Sequence, residues 1–135
     1  MARVLLVDDE RHILEYYTEV LLDEGYKVVA VDSGEQLLRT IDLYRPDVVV
    51  LDIKLVDWDG LDLLQDIRNR FYNLPVILCS AYDSFKEDPR SMAADYYVIK
   101  SFDLTELKTK IRRAIDAHLP AQILETENSP SADYL

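Results

Sequence analysis

Glycine is scarce in this chain, and its scarcity excludes one broad class of function. The 135 residues contain three glycines, Gly25, Gly34 and Gly60, which lie far apart. Loops that cradle the phosphates of a nucleotide need closely spaced glycines, as in GxxxxGK or GxGxxG. Neither pattern can be built from this sequence, so a nucleotide-binding domain of either kind is excluded.

Cysteine and long apolar runs are also in short supply. Cys79 is the single cysteine, so no internal disulfide can form, which fits a reducing compartment. The first apolar run, Val4–Val7, is followed at once by acids, a pattern that is not typical of a signal peptide. No apolar run approaches the length of a membrane span. We therefore expect a cytoplasmic protein.

Basic residues are outnumbered by acidic ones. The 15 lysines and arginines stand against 26 aspartates and glutamates, which gives a formal net charge of −11. Such a charge argues against nonspecific binding to nucleic acid or to an anionic membrane surface. It permits a basic partner or a bound cation.

Short runs rich in valine and isoleucine recur at a regular interval. They are not strictly alternating, which is typical of strands covered on both faces. The predicted strands are Val4–Val7, Val28–Val31, Val48–Leu51, Val76–Cys79 and Tyr96–Ile99. Apolar residues with helical spacing lie between them. This alternation predicts an α/β fold, a doubly wound five-stranded parallel sheet with helices on both faces.

Capping residues and prolines place the helix ends. The first helix should end at Gly25, and Ser33 is available to cap the second. The last should begin at Asp103 or Thr105 and end near Pro120.

Two regions depart from regular helix. Between the fourth and fifth strands, Pro89 predicts a fourth helix that is short or shifted. After the last helix the composition turns to proline, serine, asparagine, glutamine and acids. We expect one domain over residues 1–118 and a flexible tail over residues 119–135.

Polar side chains follow four of the predicted strands where each strand ends. Asp8 and Asp9 follow the first strand, Asp52 the third, Ser80 the fourth and Lys100 the fifth. Ligands of an open α/β sheet bind beyond the carboxyl ends of its strands. The sequence therefore predicts a site that contains three carboxylates, a hydroxyl and an ammonium group.

The chemistry of that site follows from its charges. Three carboxylates in one crevice raise one another's pKa unless a cation offsets their repulsion. Mg²⁺ prefers oxygen ligands and keeps positions for phosphate oxygens. A carboxylate held there can act as a nucleophile toward a phosphoryl group and form an aspartyl phosphate. Lys100 and Ser80 would then meet the incoming oxygens.

The ordered set Asp8–Asp9, Asp52, Ser80–Ala81, Tyr97 and Lys100 resembles the response-regulator receiver domain (CheY-like) of two-component signalling. The resemblance covers about residues 2–118. It implies a flavodoxin-like strand order, 2-1-3-4-5.

The resemblance also implies a role for each matching residue. Asp52 stands at the position of the phosphoacceptor. The Mg²⁺ ligands would be Asp9, Asp52, the backbone carbonyl of Lys54, and Asp8 through water. The phosphate would pair with Lys100. Ser80 and Tyr97 match the two residues that move on activation.

The function implied by the resemblance is a phosphorylation-dependent switch. The donor would be a sensor histidine kinase or a phosphotransfer protein. The response would change a partner-binding surface around the fourth helix, the fifth strand and the last helix. Catalysis would be limited to self-phosphorylation from small donors and autodephosphorylation, so the chain is not an enzyme in the usual sense. The expected partner of the response is an unknown downstream protein, and a phosphorylation-linked homodimer is left open.

The sequence also departs from the family pattern. Val56 and Ser101 stand where the family commonly has proline, and the fourth-helix region is short. Without that proline, the peptide bond after Lys100 is expected to be trans or strained. These departures leave open a receiver-like protein-binding module that no longer depends on phosphorylation. A phosphatase of the haloacid-dehalogenase type is disfavoured, because Lys54 stands where that family needs a second aspartate.

Overall fold

A five-stranded parallel sheet forms the centre of the molecule. The computed structural model describes residues 1–128, with side chains described for residues 1–117. The strands are β1 (Arg3–Val7), β2 (Lys27–Val31), β3 (Val48–Leu51), β4 (Val76–Ser80) and β5 (Tyr96–Ile99). Their order is β2-β1-β3-β4-β5, and all four neighbouring pairs are parallel. The predicted strands and strand order are confirmed.

Helices cover both faces of the sheet. They are α1 (Arg11–Asp23), α2 (Leu37–Tyr44), α3 (Gly60–Arg70) and α4 (Thr105–Asn128). Apolar residues of α1 and α4 pack with one face of the sheet in one cluster, and those of α2 and α3 pack with the other face. Burial on both faces explains why the strands are continuous apolar runs rather than alternating ones.

The helix ends follow local chemistry with one exception. Gly25 ends α1 at φ +97°, where a side chain would be strained. Asp103 caps α4, since its carboxylate accepts from the Thr105 N–H at 2.9 Å. The expectation for Ser33 was wrong. Its hydroxyl accepts from the Glu35 N–H, two residues on, in a tight turn that ends before α2 begins.

The last helix is longer than the sequence predicted. It continues through Pro120 to Asn128 instead of ending near that proline. An internal proline removes one backbone hydrogen bond, but a helix can continue past it with a kink. Residues 121–128 include alanine, glutamine, leucine and glutamate, which favour helix. Residues 129–135 of the predicted tail lie outside the described residues.

The connection between β4 and β5, residues 81–95, contains two short 3₁₀ turns in place of an α-helix. They span Ser84–Glu87 and Pro89–Ala93. Asp88 caps the second turn by accepting from the Arg90 N–H at 2.9 Å, and Pro89 takes the first position, where its missing N–H costs nothing. The expectation of a short fourth helix is borne out in this form.

Two further features bear on the expectations from sequence. The peptide bond after Lys100 is trans, as are the other peptide bonds of residues 1–128. Over the part of the chain that the structure describes, no helix combines the length and apolar character needed to cross a membrane.

Candidate functional site

Parallel pairing brings the ends of β1 and β3 together and fixes the carboxylates that follow them. The Asp52 N–H donates to the Val7 carbonyl at 2.9 Å, and the Asp8 N–H donates to the Val31 carbonyl at 3.2 Å. Both bonds continue the ladder one step beyond the strands. The backbone of each acid is therefore set by the sheet rather than by a free loop.

Three carboxylates meet at this edge of the sheet. Oxygens of Asp8, Asp9 and Asp52 all lie within 4.8 Å of one another. Asp8 and Asp52 are 6% and 5% exposed, and Asp9 is half-buried. Clustered hard oxygen donors with excess negative charge suit Mg²⁺. The residues present fit the predicted metal.

Lys100 reaches the same carboxylates from β5. Its Nζ lies 2.7 Å from Asp8 Oδ2, 3.1 Å from Asp52 Oδ2 and 3.3 Å from Glu10 Oε1. Its backbone N–H donates to the Ser80 carbonyl at 2.8 Å, which ties this residue to the end of β4. The lysine is thus aimed at Asp52 although serine, not proline, follows it. We call Asp8, Asp9, Asp52 and Lys100 the carboxylate edge.

Burial sets the electrostatics of the carboxylate edge. It raises the pKa of Asp52 to about 6, against the lowering effect of Lys100. Burial alone would lower the pKa of Lys100, but its contacts with Asp8 and Asp52 outweigh burial and raise it. Lys100 therefore stays charged, and Asp52 is ionised at neutral pH at a cost that a bound cation would reduce.

The side chains of Ser80 and Tyr97 both form hydrogen bonds with the backbone of Tyr82. Ser80 Oγ accepts from the Tyr82 N–H at 3.1 Å, and the Tyr97 hydroxyl donates to the Tyr82 carbonyl. Ser80 is buried, and Tyr97 is half-buried at the edge strand β5. One residue thus links the two side chains that the resemblance identifies as moving together.

Lys54 lies beside Asp52 with its side chain exposed. A hydrogen bond from its backbone lowers the pKa of Asp52, although burial dominates that pKa. Its Nζ lies 5.5 Å from the centre of the Tyr82 ring, within reach of a cation–π contact. The role of its carbonyl as a metal ligand stays a prediction.

Sequence reasoning missed a close packing contact under Asp52. A Cβ on Gly60 would lie 2.2 Å from the Asp52 carbonyl oxygen and 2.6 Å from Ile53 Cα. Asp59, just before it, caps α3 by accepting from the Leu61 N–H at 2.9 Å. Only the fold shows that the start of α3 presses against the backbone of Asp52.

Sequence reasoning also missed the side chains that hold the β4–β5 connection against α3. Arg90 pairs with Asp88, Asp62 and Asp59 at 2.8, 2.7 and 3.3 Å. Arg68 donates from two nitrogens to the Ala93 carbonyl at 3.0 and 2.8 Å. Apart from Asp88, which lies two residues before Arg90, these partners are 25 or more residues apart in the chain, so no short spacing links them.

Comparison with known families identifies the family that has this architecture. Residues 4–112 match the family model described as the response regulator receiver domain. The chain belongs to this family. The predicted resemblance is confirmed, and this is a family of signalling domains rather than classical enzymes.

Two response regulators of mycobacteria illustrate the relationship. The chain is 36% identical to the probable transcriptional regulatory protein TcrX of Mycobacterium tuberculosis over 111 residues, 81% of this chain and 47% of that protein. It is 33% identical to the response regulator MprA of Mycobacterium sp. (strain KMS), over 99% of this chain and 58% of the relative. The chain spans about half the length of these curated relatives.

Solved receiver structures share the fold closely. The response regulator TrrA of Thermotoga maritima, in complex with Mg²⁺–BeF, is 38% identical with a TM-score of 0.82, over 84% of this chain and 99% of that one. TrrA in complex with the histidine kinase ThkA aligns with a TM-score of 0.80, over 85% of this chain and 99% of that one.

Proposed function

We propose that this receiver accepts a phosphoryl group on Asp52 from a histidine kinase in the cytoplasm. One observation carries the proposal: a buried carboxylate at the end of β3 lies among two further carboxylates and 3.1 Å from Lys100. The kinase complex of the relative TrrA supports the class of donor.

The transfer conserves atoms and charge. An Asp52 carboxylate oxygen forms a bond to phosphorus as the P–N bond of a phosphohistidine breaks. The imidazole keeps the electron pair and takes a proton from solvent. With a small donor such as acetyl phosphate, a P–O bond breaks instead and acetate leaves. Lys100 pairs with an oxygen of the transferred group. This pairing matters because phosphoryl transfer depends mainly on positioning and on stabilisation of charge.

Mg²⁺ is the cofactor that this site suits best, with Asp9, Asp52, the Lys54 carbonyl and, through water, Asp8 as ligands. When bound, it neutralises charge on the phosphoryl oxygens. A metal that binds only the folded chain raises its melting temperature. We expect millimolar Mg²⁺ to do so in the wild type and much less in Asp9→Asn. Equal shifts in the two proteins would remove Asp9 from the ligand set.

The response to phosphorylation is carried by the residues around Tyr82. New phosphoryl oxygens offer the Ser80 hydroxyl an acceptor, and a Ser80 side chain that turns toward Asp52 to donate gives up the hydrogen bond that it accepts from the Tyr82 N–H. Movement of Tyr82 then frees the Tyr97 hydroxyl. The surface that changes is formed by the β4–β5 connection, β5 and α4, and it would bind a downstream protein or a second receiver.

Intact mass after incubation with acetyl phosphate tests the proposal. We expect a gain of one phosphoryl group in the wild type with Mg²⁺, and no gain without the metal or in Asp52→Asn. A folded, metal-binding wild type that gains nothing would contradict the proposal. It would favour a binding module that acts without phosphorylation.

A further inference from the structure

Two tyrosines of α1 contact the backbone that carries Lys100. The Tyr16 hydroxyl donates to the Phe102 carbonyl at 2.8 Å. The Tyr17 hydroxyl donates to the Ser101 carbonyl at 3.4 Å, at the long end of the range for such bonds. Consecutive residues of one helix thus bind consecutive carbonyls directly after the lysine. We call residues 100–103 the Lys100 loop.

The two tyrosines differ in burial but pack against each other. Tyr17 is 3% exposed and belongs to the core cluster between α1, α4 and the sheet. The Tyr16 ring packs edge-on against it, with ring centres 5.9 Å apart. Burial raises the pKa of Tyr17 to about 12, so its hydroxyl keeps its proton and remains a donor at neutral pH. Tyr17 is therefore anchored in the core, whereas Tyr16 is 39% exposed and is supported by the Tyr17 ring.

The Lys100 loop has few other anchors in its middle. At one end the Lys100 N–H donates to Ser80, and at the other the Asp103 N–H donates to Ser101 Oγ at 3.1 Å. Between these ends Ser101 and Phe102 are exposed, Phe102 to 88%. The two tyrosine hydroxyls act on this exposed stretch. A loop held there restricts the directions from which the lysine can approach Asp52.

We propose that Tyr16 and Tyr17 are positioning residues that hold the Lys100 loop so that Lys100 Nζ stays at Asp8 and Asp52. They act through the lysine and do not touch the phosphoryl group. The expected effect on the rate of phosphorylation rests on the proposed function, whereas the expected effect on the position of Lys100 does not.

The double variant Tyr16→Phe/Tyr17→Phe removes two hydroxyls and keeps both rings. Tyr72→Phe is the matched control, because Tyr72 is 77% exposed and follows α3, which packs on the opposite face of the sheet from α1. The first readout is the rate of reductive methylation at Lys100, measured by peptide mass against exposed Lys27 in the same sample. We expect the rate to rise about fivefold in the double variant, the scale of a lost neutral hydrogen bond, and to stay unchanged in Tyr72→Phe.

The second readout is the rate of phosphorylation from acetyl phosphate at saturating Mg²⁺, well below the melting temperature of each variant. We expect the double variant to be about five- to tenfold slower than the wild type. In a Lys100→Ala background the same two changes should have no further effect, because residues that act through one partner are not additive. A general loss of structure would slow both backgrounds alike.

The two readouts separate the possible failures. Unchanged methylation of Lys100 in the double variant would overturn the positioning role. Equal slowing with and without the lysine would also overturn it. If the wild type accepts no phosphoryl group, the proposed function fails, and the methylation rate still decides whether the tyrosines hold the lysine.

Discussion

The carboxylate edge and the β4–β5 connection use charge in opposite ways. At the edge, Asp8 and Asp52 are buried, the Lys100 side chain is only 11% exposed, and the backbones of all three residues continue the sheet ladder. In the connection, Arg90 binds three carboxylates from a half-exposed position on top of α3. Buried charges are costly unless paired, whereas surface pairs contribute little each. The edge should therefore respond strongly to a change in charge, whereas each Arg90 pair should contribute little to the stability of the connection.

The largest expected effect on stability comes from removing Lys100, the largely buried cation of the carboxylate edge. Lys100→Ala leaves Asp8 and Asp52 buried without their partner, and we expect a loss of about 3 kcal/mol in the free energy of unfolding in EDTA near neutral pH. Urea denaturation measures it, and Mg²⁺ should recover part of the loss. Lys108→Ala breaks an exposed pair with Glu24 and should cost about 0.5 kcal/mol or less. Similar losses in the two variants would contradict the contrast between buried and exposed charge.

Gly60→Ala tests the packing beneath the acceptor. The added Cβ would meet the backbone of Asp52 and Ile53, which cannot move aside as a flexible side chain would. We expect a loss of about 2–3 kcal/mol in the free energy of unfolding, and slower phosphorylation because Asp52 shifts. Gly25→Ala is the control, since it is strained by φ alone and meets no neighbour within 4 Å; it should cost about 1 kcal/mol. A Gly60→Ala variant as stable as the wild type would show that the contact relaxes freely.

The pH dependence of stability tests the burial of Asp52. Its folded pKa, about 6, lies above the unfolded value of 3.8. The folded state therefore binds more protons between about pH 4 and 6, and this contribution to stability is lost as pH rises through that window. The substitution Asp52→Asn removes this pH-dependent contribution. The free energy of unfolding of Asp52→Asn relative to wild type, in EDTA, should rise by about 2 kcal/mol from pH 4 to pH 7. Parallel pH profiles would contradict the raised pKa.

The smallest effect is expected from the connection. Arg90→Ala removes contacts with Asp59, Asp62 and Asp88, so the melting temperature should fall by a few degrees, less in molar salt because exposed pairs are screened. Exposed Arg113 offers the control substitution to alanine. A large, salt-insensitive loss would mean that the connection is held as firmly as the edge.

The contrast between the carboxylate edge and the β4–β5 connection also applies to what could be predicted from the sequence. Asp8, Asp52 and Lys100 each follow an apolar run, and parallel pairing brings the strand ends to one edge of the sheet. The family resemblance implied the strand order that places these ends close together. The Arg90 network, the contact at Gly60 and the tyrosine pair of α1 join residues whose distance depends on how helices pack on the sheet. No spacing in the chain encodes that distance, so these features needed the structure.

The helix ends follow the same division. Gly25 and Asp103 act on neighbouring residues and were predicted correctly. Ser33 was assigned to α2 because serine is a common cap, but its turn closes before the helix begins. Pro120 predicts an end of the last helix near residue 120, but the helix continues to Asn128. A single capping residue or proline therefore predicts a helix end only when the residues next to it also favour that end.

Locating the phosphoryl group tests the central claim most directly. Borohydride reduces an aspartyl phosphate to homoserine, and peptide masses then show which residue was modified. After incubation with acetyl phosphate and Mg²⁺, we expect homoserine at position 52, and none when the metal is omitted. Homoserine at Asp8 or Asp9, or none in a folded and metal-bound protein, would contradict the assignment of Asp52 as the phosphoacceptor.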